Sequence, residues 1–329
     1  MTATTLDISV IICAYTEDRW GDLVMAVESV QHQTVLPREV IIVIDHNLAL
    51  LERVREHLPS VMVVENREAR GLSGARNSGI AAAQGAVIAF LDDDAMAAPD
   101  WIEQLCSAYS DLNVVGVGGM IEPLWQDGRP AWFPAEFDWV VGCTYRGMPE
   151  VTSPVRNLIG ANMSFKQEVF EVIGGFRDGV GQVGNSMLRC DDTEFCIRVS
   201  QHWPQTVFLY EPRAKVYHQV PTSRAQWNYF RSRCFTEGLA KALVSRFVGA
   251  RDGLASERTY TLRTLPQGVA RGLADTLHRR DPTGLGRAGA IVAGLAFTTA
   301  GYLTGIAAGQ FANRKSAPAE FTYSSKTQI

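Results

Sequence analysis

Between Ile8 and about Leu91 the chain repeats one pattern four times: a short run apolar at nearly every residue, a polar residue or two, then a stretch with helical spacing. The runs are ISVIICAY, EVIIVID, VMVVEN and AVIAFLDDD, with a helix-like segment around Val24 to Val30 and a Gly-rich helix start from Gly71 among them. A strand that faces water on one side alternates apolar and polar residues; these runs do not, so both their faces must be covered. Crossovers of this kind join parallel strands, so the pattern predicts an α/β fold with a doubly wound, mostly parallel sheet and helices on both faces. Such sheets bind ligands beyond the carboxyl ends of their strands. There the chain places Tyr15 to Asp18, Asp45 to Asn47 and Asp92 to Asp94.

With 329 residues, one large or two medium domains can form. Lys plus Arg number 31 against 35 for Asp plus Glu, a net charge of -4 that does not favour a general polyanion binder, so no nucleic-acid partner is expected. The six cysteines form no CxxC pair or zinc-finger spacing. The start, MTATTLDISVIICAY, lacks the basic segment and cleavage site of an export signal. A reduced, cytoplasmic setting is the expectation.

From Asn113 to Ile159 the pattern loosens into a strand, VVGVGG, and a long excursion carrying Trp125, Trp132, Phe133, Phe137, Trp139 and Tyr145. Rings over a cleft would suit a sugar or aglycone, and rings covering a sheet edge fit equally well. Gly160 to Gln201 reads as strand, helix, Gly-rich loop and helix, and TVFLYEPRAKVYHQV completes the sheet. The organisation expected is an α/β domain over 1–222 in two halves, one to about 118 and the other from about 119. A helical extension over 223–286, an apolar helix over 287–313 and a polar tail over 314–329 complete it.

Ala288 to Asn313 contains no charged residue. As a helix it would be about 39 Å long, against roughly 30 Å of bilayer hydrocarbon, and Gly301, Gly305 and Gly309 give it a face for close packing. Its Gly, Ala and Thr content keeps hydropathy marginal, so a packed or interfacial helix with peripheral membrane contact suits it at least as well as a span.

Three consecutive acids leaving a buried strand, Asp92, Asp93 and Asp94, are costly unless a cation or solvent compensates them. Hard oxygen ligands favour Mg²⁺ or Mn²⁺, which commonly bridge carboxylates to substrate phosphates; a solvated turn or a cap on the helix at Trp101 is the plainer alternative. Asp45 ends a second strand in the same way. In GLSGARNSGI the glycines allow tight backbone geometry and Arg76 offers a fork for phosphate or a base edge, although the segment matches neither the dinucleotide fingerprint nor the Walker motif. Asp191 and Asp192 open a helix in CDDTEFCIRV, where cap and general-base roles are compatible. His218 follows the apolar AKVY and can serve as a metal ligand or a structural histidine.

Taken in order, ISVIICAYTED, PREVIIVID, GLSGARNSGI, FLDDDAMAAPDWIE, GANMSFKQEVFEVIGGFRD and CDDTEFCIR resemble the inverting family 2 glycosyltransferases of GT-A fold, over about the first 240 residues. The resemblance implies a nucleotide-sugar donor held by Cys13, Tyr15, Glu17, Asp45, Arg76, Asp92 and Asp93, with Tyr15 packing on the base. It implies a metal on Asp94, completed by His218, and Asp192 as the base with Asp191 beside it; family members often carry Glu-Asp at that pair. Trp125, Trp132, Trp139 and Asn162 fall on the acceptor side. UDP is the favoured nucleotide, ahead of GDP and dTDP, and the acceptor is a glycan, a lipid-linked sugar or a small aglycone. Cell-surface polysaccharide synthesis at the inner face of the membrane fits this reading, and homodimerisation is left open. Two alternatives compete: a sugar-phosphate nucleotidyltransferase, against which AYTEDRW lacks a basic Gly-rich loop, and a non-catalytic nucleotide-sugar or glycan-binding protein, against which Asp94 and Asp192 are intact.

Overall fold

A computed structural model of the chain describes residues 7–178, 189–249, 257–278 and 280–315. Its first part alternates β1 (Ile8–Ala14), α1 (Trp20–Gln31), β2 (Glu39–Ile44), α2 (Leu48–His57), β3 (Met62–Glu65), α3 (Leu72–Ala82) and β4 (Val87–Asp92). These strands pair in parallel in the order β3-β2-β1-β4. The unbroken apolar runs are explained by what lies on each face. Val10, Ile12, Ile42 and Leu91 join one core cluster with Leu23 and Val27 of α1, while Ile11, Ile41, Val43 and Phe90 join the other with Ala75 of α3. VMVVEN differs from its neighbours: β3 is the sheet edge, and Met62 and Glu65 are exposed.

Beyond β4 the sheet becomes mixed. β5 (Ala95–Ala97), α4 (Trp101–Ala108), β6 (Val114–Trp125), β7 (Ser153–Val155), β8 (Asn162–Lys166), α5 (Gln167–Ile173), α6 (Asp191–His202) and β9 (Val207–Val220) follow in the chain. The order continues β4-β8-β6-β9-β5, with β8 antiparallel to both neighbours and β9 parallel to β6. Fourteen residues long, β9 reaches from β7 at one end to β5 at the other, where His218 pairs with Ala95. That register brings His218 beside the acids ending β4.

α7 (Trp227–Val248), α8 (Leu265–His278) and α9 (Thr283–Lys315) form the helical C-terminal part, with a π-helical turn at Tyr260–Thr264 leading into α8. The small residues of α9 are used against α7. A Cβ on Gly301 would lie 1.9 Å from the Phe235 carbonyl oxygen and one on Gly238 would lie 2.0 Å from that of Thr298, so the two backbones touch where no side chain fits. The segment Thr283–Ala308, mean hydropathy 1.6, is long and apolar enough to cross a membrane, and Leu285, Val292 and Leu303 on it are exposed. The Gly-rich loop expected before α6 lies mostly outside the described residues, as does the tail from residue 316.

The aromatic excursion divides between the two roles open to it. Phe133 and Phe137 are fully buried and meet Phe230 of α7, with Trp132 edge-on to Trp227 and Phe230 and Trp125 edge-on to Phe133. These rings fasten α7 to the sheet. Trp139 and Tyr145 instead line a cavity.

Candidate functional site

The carboxyl ends of β1, β2 and β4 enclose a small pocket of about 70 Å³ lined by Cys13, Tyr15, Arg19, Asp45, Asp92 and Asp93, among others. Five residues expected on the donor side therefore meet there: Cys13, Tyr15, Asp45, Asp92 and Asp93. Asp45 shapes the pocket wall. Its Oδ1 accepts from Asn66 Nδ2 at 2.6 Å and its Oδ2 from the Gly71 N–H at 3.0 Å, where φ of +127° requires glycine. Tyr15 is exposed at the rim, with Arg19 over its ring. Burial above all, opposed by Arg76, pushes the Cys13 thiol up to about 12, so it stays protonated.

Glu17 and Arg76 lie elsewhere. Glu17 is exposed, 4.0 Å from Arg53, because the short 3-10 turn Glu17–Arg19 points it outward. Arg76 is buried, with Nη1 donating to Asp191 Oδ2 at 2.8 Å, Nη2 donating to the Gly160 carbonyl at 3.1 Å, and Asp92 3.8 Å away. Rather than facing a base, it is the strut joining α3 to the start of α6, wedged against Phe90 and Phe176.

At the end of β4, Asp92, Asp94 and His218 each offer one ligand atom within 4.8 Å of the others. Two carboxylates and an imidazole form a donor set suited to Mg²⁺ or Mn²⁺, and among the described residues the buried Asp93 Oδ2 beside it has no hydrogen-bond partner. The residues present therefore fit a divalent metal. Sequence reasoning places Asp94 and His218 in this group and assigns Asp92 to the nucleotide; the pairing of β5 with β9 brings all three together.

Positive charge crowds the same acids. Arg19 Nη1 lies 2.8 Å from Asp93 Oδ1 and 3.1 Å from Asp94 Oδ2, His218 Nε2 is 3.1 Å from Asp94 Oδ1, and Arg224 is 3.4 Å from Asp94 Oδ2. Burial works against the Asp94 charge, yet His218, Arg224 and Arg19 together hold its carboxyl well below the usual range. For Asp93 burial wins, with Asp94 adding to it, and the carboxyl is pushed up to about 7. Sequence reasoning assigns neither Arg19 nor Arg224 to the site; the signal it offers is their position, each a few residues past the end of a strand, β1 for Arg19 and β9 for Arg224.

The neighbouring acids of α6 have different surroundings. Asp191 is buried and neutralised by Arg76, whereas Asp192 is half-buried and lines the larger cavity, of about 360 Å³. Asp192 Oδ2 accepts from the Gly160 N–H at 2.9 Å and Oδ1 from the Thr193 N–H at 2.6 Å. Burial, then the Asp191 charge, push its carboxyl up to about 6, while Arg76 and the two N–H groups pull the other way. Trp139 lines this cavity, its Nε1 donating to Tyr260 Oη at 2.9 Å; Trp125 and Trp132 do not. Asn162, expected on the acceptor side, is fully buried, accepting from Trp101 Nε1 and donating to the Met120 and Ala214 carbonyls. It holds the sheet rather than facing an acceptor.

Residues 9–174 match the family model described as Glycosyl transferase family 2. Over 243 residues the chain is 36% identical to the glucosyl-dolichyl phosphate glucuronosyltransferase of Haloferax volcanii, covering 73% of this chain and 77% of that protein. It is 24% identical over 243 residues to the succinoglycan biosynthesis protein ExoM of Rhizobium meliloti, with 71% and 74% of the two chains covered. The structure resembles the mannosyltransferase PcManGT from Pyrobaculum calidifontis, solved with GDP-Man and Mn²⁺, at a TM-score of 0.57 and 19% identity over 95% of this chain and 89% of that one. It also resembles GalNAc-T7, solved with UDP, GalNAc and Mn²⁺, at 0.53 and 19% over 78% of this chain, which spans 58% of that structure. These structural likenesses carry the fold, which is GT-A. With the family model matching half of the sequence and the archaeal enzyme aligned over most of both lengths, the chain belongs to glycosyl transferase family 2 and is a glycosyltransferase.

Proposed function

We propose that the protein moves a sugar from a nucleoside diphosphate sugar, with UDP favoured, to a hydroxyl of a lipid-linked sugar or related glycan, inverting the anomeric carbon. One observation carries this reading: Asp191 and Asp192 are adjacent, yet Arg76 neutralises the first while the second turns to the cavity. Asp192 is the base that takes the acceptor proton. Its two N–H partners fix the direction of the carboxylate, and a proton affinity raised to about 6 leaves it ionised at neutral pH but a stronger base than an exposed aspartate.

On the donor side Tyr15 covers the base, Asp45 and Asp93 meet the nucleoside, and Arg76 holds the two halves in register. When bound to Asp92, Asp94 and His218, Mg²⁺ or Mn²⁺ would neutralise charge on the departing diphosphate. Arg224, beside Asp94, adds positive charge at the same place. Asp192 sits across the strut from that site, suiting attack opposite the leaving group without a covalent intermediate.

The name of the archaeal relative points to a dolichyl phosphate-linked substrate, which favours a lipid-linked acceptor here. The exposed leucines of α8 and α9, Leu273, Leu277, Leu285 and Leu303, support attachment to a membrane surface, taken here as its cytoplasmic face. In this reading residues 1–222 are the catalytic unit, the helices over 223–286 close the acceptor side, and 287–313 meet the lipid.

The test is a thermal-shift titration with UDP-, GDP- and dTDP-sugars, each with and without Mn²⁺. A metal-dependent shift is expected for one nucleotide class and is lost in Asp94→Asn. An equal shift for that variant at every Mn²⁺ concentration would sink the metal assignment.

A further inference from the structure

Three arginines converge between the metal group and the larger cavity, and their charges are unequally answered. Arg224 is near Asp94, and Arg233 Nη1 lies 3.1 Å from Glu237 Oε2. Among the described residues, Arg189 makes no hydrogen bond or ion pair, and its Nε is wholly out of solvent without a partner. Burial is the main influence lowering the proton affinity of Arg189; Tyr229 and, more weakly, Asp92 oppose it, while Arg224 and Arg233 add to the lowering by repulsion. A guanidinium nevertheless stays charged at neutral pH. A buried cation among like charges is destabilising unless an anion joins it.

The cavity shows where such an anion would come from. Arg189 and Arg233 line it together with Asp192; Glu237, the partner of Arg233, and Lys241 share the wall, and the C-terminal helices add Leu265, Leu295 and Tyr302. A ligand there would meet a base for a hydroxyl and a patch of guanidinium, beside side chains of α9.

We propose that Arg189, supported by Arg233, binds a phosphate group on the acceptor side of Asp192, the phosphate of an acceptor whose sugar is carried on a lipid phosphate. This rests on the glycosyl-transfer reading above and adds the residues that would select a phosphorylated lipid carrier over a neutral one. Arginine suits the task because its planar fork matches phosphate oxygens in two-point hydrogen bonds. The donor also carries phosphates, so the test must separate the two sources.

Full-length protein in detergent is titrated calorimetrically with farnesyl phosphate, farnesol, and UDP with Mn²⁺, as wild type, Arg189→Met, Arg189→Lys and Arg233→Gln. Wild type should bind farnesyl phosphate at least about tenfold more tightly than farnesol, and Arg189→Met should lose that preference while UDP affinity stays within about twofold. Arg189→Lys should recover part of it. Melting temperature supplies a readout that a structural role would move the other way: removing an unanswered buried cation should raise the melting point of ligand-free Arg189→Met by about 2 °C or more. Equal binding of farnesol and farnesyl phosphate by wild type overturns the proposal. So does unchanged farnesyl phosphate binding in Arg189→Met, and so does a loss confined to UDP, which would assign the arginine to the donor diphosphate. A protein that shows no nucleotide-sugar shift yet keeps Arg189-dependent farnesyl phosphate binding fails the glycosyl-transfer reading alone.

Discussion

The pocket proposed for the donor and the cavity proposed for the acceptor flank the axis from Asp92 through Arg76 to Asp191, but they are built in opposite ways. The donor pocket is local: every lining residue falls between Cys13 and Asp93, on strand ends and helix starts, and of its acids Asp93 is held by Arg19 and Asp45 by Asn66 and the Gly71 N–H. The acceptor cavity is assembled from remote pieces, so that Trp139 reaches Tyr260, 121 residues away, for its indole hydrogen bond. A site made from one sheet edge is positioned by the sheet; a site made from packed helices depends on their docking. The first should tolerate changes in the second, and experiments can break that independence.

The largest effect expected is from Asp192→Asn. Losing a general base should lower transfer by about 10²–10⁴-fold while metal-dependent donor binding is unchanged. A fall in donor affinity of similar size would mean that the halves are not separable.

Next comes the strut. Arg76→Met leaves Asp191 buried without its cation, which should cost about 3–5 kcal/mol in urea unfolding, whereas Arg76→Met with Asp191→Leu should regain most of it. If the double variant is as unstable as the single one, Arg76 contributes through its rings, Phe90 and Phe176, and not through the ion pair.

A smaller effect sharpens the acceptor side alone. The Asp192 carboxyl is raised to about 6, and its charged form is the one that accepts a proton. Hence kcat/KM at saturating Mn²⁺ should fall about tenfold per pH unit below about 6 and level off above it. Asp192→Asn should lack this limb; its persistence there would assign the titration to another group.

The same contrast decides what the sequence can tell. Apolar runs and the residues just past them locate strand ends, so Tyr15, Asp45 and the Asp92–Asp94 group are legible from the amino-acid order alone. Which side chain turns to ligand is not. Arg76 reads as a phosphate or base contact, whereas its partner, 115 residues on, is Asp191. Asn162 carries a polar amide that the sheet itself consumes. Trp125, Trp132 and Trp139 are alike in sequence and differ in what covers them, Phe133 and Arg129, α7, or the approach to α8, which periodicity cannot encode. Gly301 and Gly305 of α9 do mark close packing, with α7 as the partner.

The smallest effect on the fold should come from the part of the acceptor side that faces away from it. Leu285, Val292 and Leu303 are 56%, 58% and 60% exposed, so replacing all three by serine removes little buried contact and should change stability by no more than about 0.5 kcal/mol per site. Each apolar side chain is worth on the order of 1.5–3 kcal/mol when transferred from water, and a lipid surface is where that energy would be realised. The triple variant should therefore keep its melting temperature and its metal-dependent donor shift while losing co-sedimentation with phospholipid vesicles. If wild type stays in the supernatant, or the variant still pellets with the vesicles, these side chains do not anchor the protein. A donor shift that changed with them would show that the sheet edge and the helices are coupled after all.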